Sequence, residues 1–183
     1  MPETYGAAGL GPEKTFQVGN LQVKIFADRA ALGRAAAQVA ATALTQALTQ
    51  KGNARAIFAA APSQNELLEG LSKDSSVEWS QVVAFHLDEY LGLAGEAPQS
   101  FQTYLKEHLF DLVKPGQVNF LQGGTPDPAA EAARYGQLLA EGGLDLACIG
   151  IGENGHIAFN DPPYADFNDS QKVRIVDLDE TSR

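Results

Sequence analysis

The chain has 183 residues, 44% of them hydrophobic and 20% charged, the proportions of a folded globular domain and not of a disordered one. Thirteen Lys and Arg against 23 Asp and Glu leave a net charge of −10, which argues against a nucleic-acid phosphate binder or a basic membrane-surface patch. The single cysteine, Cys148, excludes an intramolecular disulfide framework and a cysteine-only zinc site, and no run approaches the ~20 apolar residues that span a bilayer.

Met1–Asn20 is Gly-rich and polar, with no apolar core of a signal peptide. It is expected to be a flexible extension ahead of a single domain over 21–183, and the chain is expected in the cytoplasm. Leu21–Ala27 reads as a first strand. Asp28 then caps a long helix whose Leu32, Ala36, Val39, Ala43 and Ala47 recur at helical spacing, and Lys51-Gly52-Asn53 ends it. Arg55–Ala61 is a second, apolar strand. Pro62 breaks it, and Ser63-Gln64-Asn65-Glu66 has the spacing of a capping box for a helix carrying Leu67, Leu68 and Leu71. Gln81–Tyr90 is a third strand. Ser100–Val113 is helical, with Phe101, Tyr104, Leu105, Leu109 and Leu112 on one face, and Val118–Leu121 is a short strand. Asp127-Pro128 opens a helix through about Glu141 that Gly142-Gly143 stops. Leu144–Ile151 is nearly all apolar, as a central strand covered on both faces would be, and Val173–Leu178 is the last expected strand.

Strands alternating with helices imply an α/β fold: a doubly wound, mostly parallel sheet flanked by helices. The chain stops at Thr181-Ser182-Arg183, a polar segment without a closing helix, so the domain is expected to be incomplete at that end.

Ligands of open parallel sheets sit beyond the carboxyl ends of the strands, and three such ends carry informative residues. After Ala59-Ala60-Ala61-Pro62, Ser63 and Gln64 precede a helix whose free N–H groups suit a phosphate; taken alone, Ser63 reads more readily as a plain helix cap. In His86-Leu87-Asp88-Glu89-Tyr90, strand alternation sends Asp88 and Glu89 to opposite faces. One carboxylate can then serve as a general base, unless the pair is simply a solvated strand end. The third end, Gly150 to Pro163, matches G-x-G-x-x-G through Gly150, Gly152 and Gly155. The dinucleotide reading fails, because Pro162-Pro163 replaces the required helix and the strand is a late one. The glycines instead allow turns that present His156 and Asp161, although a satisfied core histidine remains the alternative for His156. No paired-ligand spacing among His86, His156 and the carboxylates supports a metal cage. His108 reads as an ordinary helix residue and Cys148 as an inert core residue. Lys172 and Arg174 fall on the last strand, where they add local positive charge or are solvated; Arg34 and Arg55 have no assigned role.

Phe85–Leu93 (FHLDEYLGL) with Gly150–Pro162 (GIGENGHIAFNDP) resembles the glucosamine-6-phosphate deaminase, or isomerase, family, related to 6-phosphogluconolactonase; the likeness runs more weakly from about Phe26 to Arg183. The resemblance implies opening of a sugar-phosphate ring, isomerisation between 2-amino aldose and ketose, and release of ammonia to give fructose 6-phosphate, with no metal or organic cofactor. By this likeness Asp88 matches the carboxylate that moves the proton between C1 and C2, and His156 the ring-opening acid/base. Asp161 matches a family Glu that supports the histidine, and Ser63 with Gln64 the phosphate loop. Glu89, Gly152 and Gly155 fall in the substrate loops. The chain departs from the family in carrying Asn154 where Asp is usual, Asp161 for Glu, and Ala61-Pro62-Ser63-Gln64 as phosphate loop. Family members also continue to a lid arginine and a phosphate-binding lysine, and Arg183 falls just short of that arginine. The implied partner is a small sugar phosphate, with neither nucleic acid nor membrane, and a homo-oligomer is compatible with it. A sugar-phosphate lactone hydrolase and a non-catalytic sugar-phosphate sensor are the competing readings. Asp88-Glu89-Tyr90 and Phe159-Asn160 favour the deaminase over the lactonase.

Overall fold

The computed structural model describes residues 11–162, 164–178 and 180; residues 1–10 of the expected extension, Pro163, and Thr181-Ser182-Arg183 lie outside them. Strands β1 (Lys14–Val18) and β2 (Leu21–Ile25) form an antiparallel hairpin. Helix α1 (Arg29–Lys51) leads to β3 (Ala54–Phe58), and a 3₁₀ turn, Pro62–Gln64, leads into α2 (Asn65–Lys73). After β4 (Val82–His86) comes a helical run: α3 (Phe101–Leu105), a π turn Lys106–Phe110 and α4 (Asp111–Val113). Strand β5 (Gln117–Asn119), helix α5 (Pro128–Ala140) and β6 (Leu146–Cys148) follow. The order in the main sheet is β5-β4-β3-β6, and every pairing in it is parallel.

The start and stop signals act as their chemistry demands. Asp28, Ser100 and Asp127 each accept the backbone N–H three residues on. Gly52, at φ 77°, closes α1 by donating its N–H to the Leu48 carbonyl. The capping box does not form. Glu66 instead takes the Arg29 guanidinium at 2.9 Å through both oxygens, and no side chain caps the Pro62–Gln64 turn.

The sheet alternates between two cores. Ala54, Ala56, Phe58, Val82 and Ala84 pack with α1, α2 and the 101–113 run, whereas Ile57 and Phe85 pack with Tyr135 of α5. The face of α1 differs from the expected one: Leu32 and Val39 are exposed, while Gly33, Ala37, Ala40, Ala41, Leu44 and Ala47 are buried. Close approach to α2 sets that face. A Cβ on Gly33 would lie 2.2 Å from Glu66 Cβ and 2.9 Å from its carbonyl carbon, and one on Gly70 would lie 2.5 Å from Ala37 Cβ. Gly33→Ala is therefore expected to lower stability by about 1–3 kcal/mol, although alanine is the better helix former by ~1 kcal/mol. A urea or thermal midpoint measures it, and a rise would show that the helices can separate freely.

Three further expectations are corrected. Leu21–Ile25 pairs only within the hairpin, with Lys14–Val18 of the expected extension, and not in the main sheet. Strand β6 lies at an edge of the described sheet, with Ile149 and Ile151 exposed beyond it, because β3 alone pairs with it. Residues 173–178 form no strand; Val173 packs instead beside the α5 core. Among the described residues no helix is long and apolar enough to cross a membrane.

Candidate active site

The register of the sheet brings the three strand ends to one level. Phe58 pairs with both His86 and Cys148. One step on, the Leu87 N–H donates to the Phe58 carbonyl and the Ala59 N–H to the Cys148 carbonyl, each at 2.9 Å. The segments after β3, β4 and β6 therefore leave the same edge side by side, with the Ser63 segment in the middle.

Asp88 follows β4 and is half-buried. Burial pushes its carboxyl up to about 6, the neighbouring Glu89 charge adds to this, and His156 opposes it. It opens onto a cleft of about 900 Å³ walled also by Tyr90, Tyr135, Phe159, Asn160 and Lys172. His156, Ser63 and Gln64 do not line this cleft.

His156 stands in a folded-back loop. The Gly152 N–H donates to the His156 carbonyl and the Gly155 N–H to the Gly152 carbonyl, both at 2.9 Å. Gly155 has φ 88°, a conformation that favours glycine. No helix follows β6 through Asp161, as the prolines led us to expect. His156 Nδ1 lies 2.7 Å from Asn154 Oδ1 and 3.1 Å from Asp161 Oδ1. Both neighbours are acceptors, so Nδ1 carries the ring proton and Nε2 is left with its lone pair. Asn154 Nδ2 donates to Asp161 Oδ1 at 2.5 Å, and Asn154 Oδ1 also accepts the His156 backbone N–H. Asp161 is 1% exposed, and its carboxylate reaches the imidazole. Asn154 thus bridges the pair, and Asp161 brings the carboxylate next to the ring. Ala158 and Phe159, with φ 53° and 56°, are strained for non-glycine residues; the turn they make sets Phe159 against His156, Tyr90 and Phe101.

Ser63 is exposed and Gln64 buried. Both stand next to Gly150, where a Cβ would be 3.3 Å from Gln64 Nε2 and 3.6 Å from Ser63 Oγ. Glu89, expected in a substrate loop, lines the same cleft as Asp88. Its side chain is 2% exposed, and it accepts the backbone N–H groups of Tyr90, Phe101 and Gln102 at the start of the 101–113 run. No local pattern signals this, because the amides it caps lie 12 and 13 residues away. Phe159 is a second contributor that spacing could not reveal, since its place depends on two left-handed residues.

The remaining candidates resolve simply. Cys148 is buried, with its thiol pushed up to about 12 by burial. His108 stacks on Tyr104 within its own helical run. Arg55 donates to the Gly143 and Leu138 carbonyls and covers Phe85, and Arg174 pairs with Asp169. Among the described residues no group of three or more His, Cys, Asp or Glu side chains is placed to hold a metal ion.

Comparison with known proteins gives the family and the fold. The family model described as glucosamine-6-phosphate isomerases/6-phosphogluconolactonase matches residues 27–177. A glucosamine-6-phosphate deaminase of Exiguobacterium sp. is 46% identical over 111 residues, which cover 61% of this chain and 42% of that protein. One of Streptococcus pneumoniae is 43% identical over 112 residues, covering 60% and 45%. The matches thus span less than half the length of these relatives. A solved monomeric glucosamine-6-phosphate deaminase superposes with a TM-score of 0.76 at 28% identity, covering 84% of this chain and 64% of that one. The 6-phosphogluconolactonase of Shewanella baltica, at 22% identity and a TM-score of 0.64, shares the fold. With its strand-end carboxylate, its supported histidine and the family match over most of its length, the chain belongs to the glucosamine-6-phosphate isomerase/6-phosphogluconolactonase family.

Proposed function

We propose that the protein is an amino-sugar phosphate deaminase, converting glucosamine 6-phosphate and water to fructose 6-phosphate and ammonia. The observation that carries this reading is the division of labour at one sheet edge. A carboxyl raised to about 6 faces the cleft, and a histidine with a fixed tautomer stands apart from it. The names of the relatives supply the substrate class.

In this reading His156 Nε2 takes the proton of the C1 hydroxyl and delivers one to the ring oxygen, breaking the ring C1–O bond. Asp161 and Asn154 hold the imidazole and stabilise the charge it gains. Asp88 takes the C2 proton while the substrate's 2-ammonium group passes one to O1, forming an enolamine. It then returns its proton to C1, leaving an imine at C2 from which water displaces ammonia. Ser63 and Gln64, ahead of α2 and beside Gly150, receive the phosphate through the hydroxyl and the side-chain amide.

The test is ammonia release from glucosamine 6-phosphate by the full-length protein, with fructose 6-phosphate assayed in parallel. Equal rates of the two products are expected. Hydrolysis of 6-phosphogluconolactone without ammonia release would move the protein to the lactonase branch, and hexose-phosphate binding without turnover would make it a sensor.

A further inference from the structure

Flanking Asp88 in sequence is a pair of buried side chains that the reaction above does not use. His86 ends β4 and is 0% exposed. Its Nδ1 accepts the Leu121 N–H at 3.3 Å, which leaves the ring proton on Nε2. Nε2 has no hydrogen-bond partner among the described residues and stands 3.6 Å from Glu89 Oε2, beyond hydrogen-bond length but within strong electrostatic reach. The ring is walled by Phe120 and Tyr135, and the Tyr135 hydroxyl donates to the His86 carbonyl at 2.8 Å.

The Glu89 side chain, at the wall of the cleft, is 2% exposed. Oε1 accepts from Tyr90 at 3.0 Å and from Phe101 at 3.2 Å, and Oε2 accepts from Gln102 at 3.0 Å. Burial alone would raise this carboxyl, but His86 and the three amides outweigh it and hold it below the ordinary value, so Glu89 stays charged. Two side chains therefore tie together the end of β4, the segment after β5 and the start of the 101–113 run. Asp88 sits between them in sequence.

We propose that His86 and Glu89 are a positioning pair for Asp88: they lock the 87–90 turn against the neighbouring segments and keep a fixed negative charge beside the reacting carboxyl. The proposal rests on Asp88 being the group that carries the C1–C2 proton. The titratable groups acting on Asp88 are Glu89, His156 on the loop after β6, Tyr90, and Tyr135 on α5. His86 meets Glu89, Tyr135 and, more distantly, Glu131 on α5. Glu89 is the acidic neighbour that opposes ionisation of Asp88, and His156 acts in the other sense.

The test compares Glu89→Gln, His86→Leu and His86→Gln with Asp88→Asn in the full-length protein. Turnover, KM and the pH profile are measured, and the Asp88 carboxyl is titrated by carbon-13 NMR, its signal assigned by loss in Asp88→Asn. Glu89→Gln keeps an acceptor but no charge. It is expected to lower kcat about tenfold or more with KM within about threefold, and to move both the acid limb and the Asp88 titration to lower pH. His86→Leu is expected to lower kcat similarly, and His86→Gln, which restores a donor towards Glu89, to recover part of the loss. If Glu89→Gln does not fold, the two His86 variants carry the comparison.

Full activity in Asp88→Asn would overturn the role of Asp88, and the NMR titration would then decide the pair alone. An inactive Asp88→Asn beside Glu89→Gln and His86→Leu with unchanged kcat and titration would overturn the pair. So would losses confined to KM with no recovery in His86→Gln.

Discussion

Replacing Asp88 with Asn is expected to lower ammonia release from glucosamine 6-phosphate by about 10²–10⁴-fold in the full-length protein, the range for loss of a positioned proton-transfer group. The amide fills nearly the same space beside Tyr90 and Phe159 in the cleft wall, so KM should change far less than kcat. Burial, then the Glu89 charge, hold the Asp88 carboxyl at about 6 against the pull of His156. The base form is needed to take the C2 proton. In the unmodified protein kcat/KM should therefore fall about tenfold per pH unit below that point and level off above it. The same carboxyl makes an opposite demand on stability. Its folded value lies above its unfolded value, so its contribution to stability is fully present below about pH 4 and is lost as pH rises through about 6. At pH 7.5 the ionised group costs the fold about 1–2 kcal/mol after allowance for its partial exposure. Asp88→Asn should then melt higher than the parent at pH 7.5 and nearly the same at pH 4. A variant that is less stable at pH 7.5, or one that keeps its turnover, would remove Asp88 from the role assigned to it.

The order of elements was legible because its signals are local. Asp28, Gly52, Ser100 and Asp127 act within three or four residues of themselves, and the apolar runs at β3 and β4 lie where their composition put them. What misled was any feature set by a partner distant in the chain. Leu32 and Val39 carry the greater hydrophobicity on α1, yet α2 approaches so closely that only Gly33 and Ala37 fit between the helices. Glu66 has capping-box spacing, but a bidentate arginine competes for it and wins. The apolar stretch around β6 looks central, but exposure depends on how many strands flank it, which composition cannot report. The site divides in the same way. Asp88, His156 and Asp161 were readable as titratable residues in segments that follow strands. That Asn154 would donate to Asp161 while accepting from His156 follows only from the fold of the loop between them.

Gly152→Ala is the second large expected loss, and it isolates the histidine half of the site. A Cβ on Gly152 would sit 2.3 Å from His156 Cε1, 2.5 Å from Nε2 and 2.6 Å from Nδ1, well inside contact distance. The backbone cannot yield easily, because the Gly152 N–H holds the His156 carbonyl and the Gly152 carbonyl holds the Gly155 N–H. The imidazole must move instead, and with it go the contacts of Nδ1 to Asn154 Oδ1 at 2.7 Å and Asp161 Oδ1 at 3.1 Å. Without those acceptors the tautomer is no longer fixed, and Nε2 leaves the position from which it would serve the sugar ring. Turnover of cyclic glucosamine 6-phosphate should fall by about 10²-fold or more. Asp161, 1% exposed, also loses its histidine contact, so stability should drop by about 1–3 kcal/mol. Exchange of the C2 proton with solvent in an open-chain substrate depends on Asp88 and should be reduced much less than turnover of the ring form. Equal losses in both assays would mean that the substitution disturbs the whole sheet edge. Unchanged turnover would mean that the ring can leave Asn154 and Asp161 without consequence, and His156 would then have no part in opening the sugar.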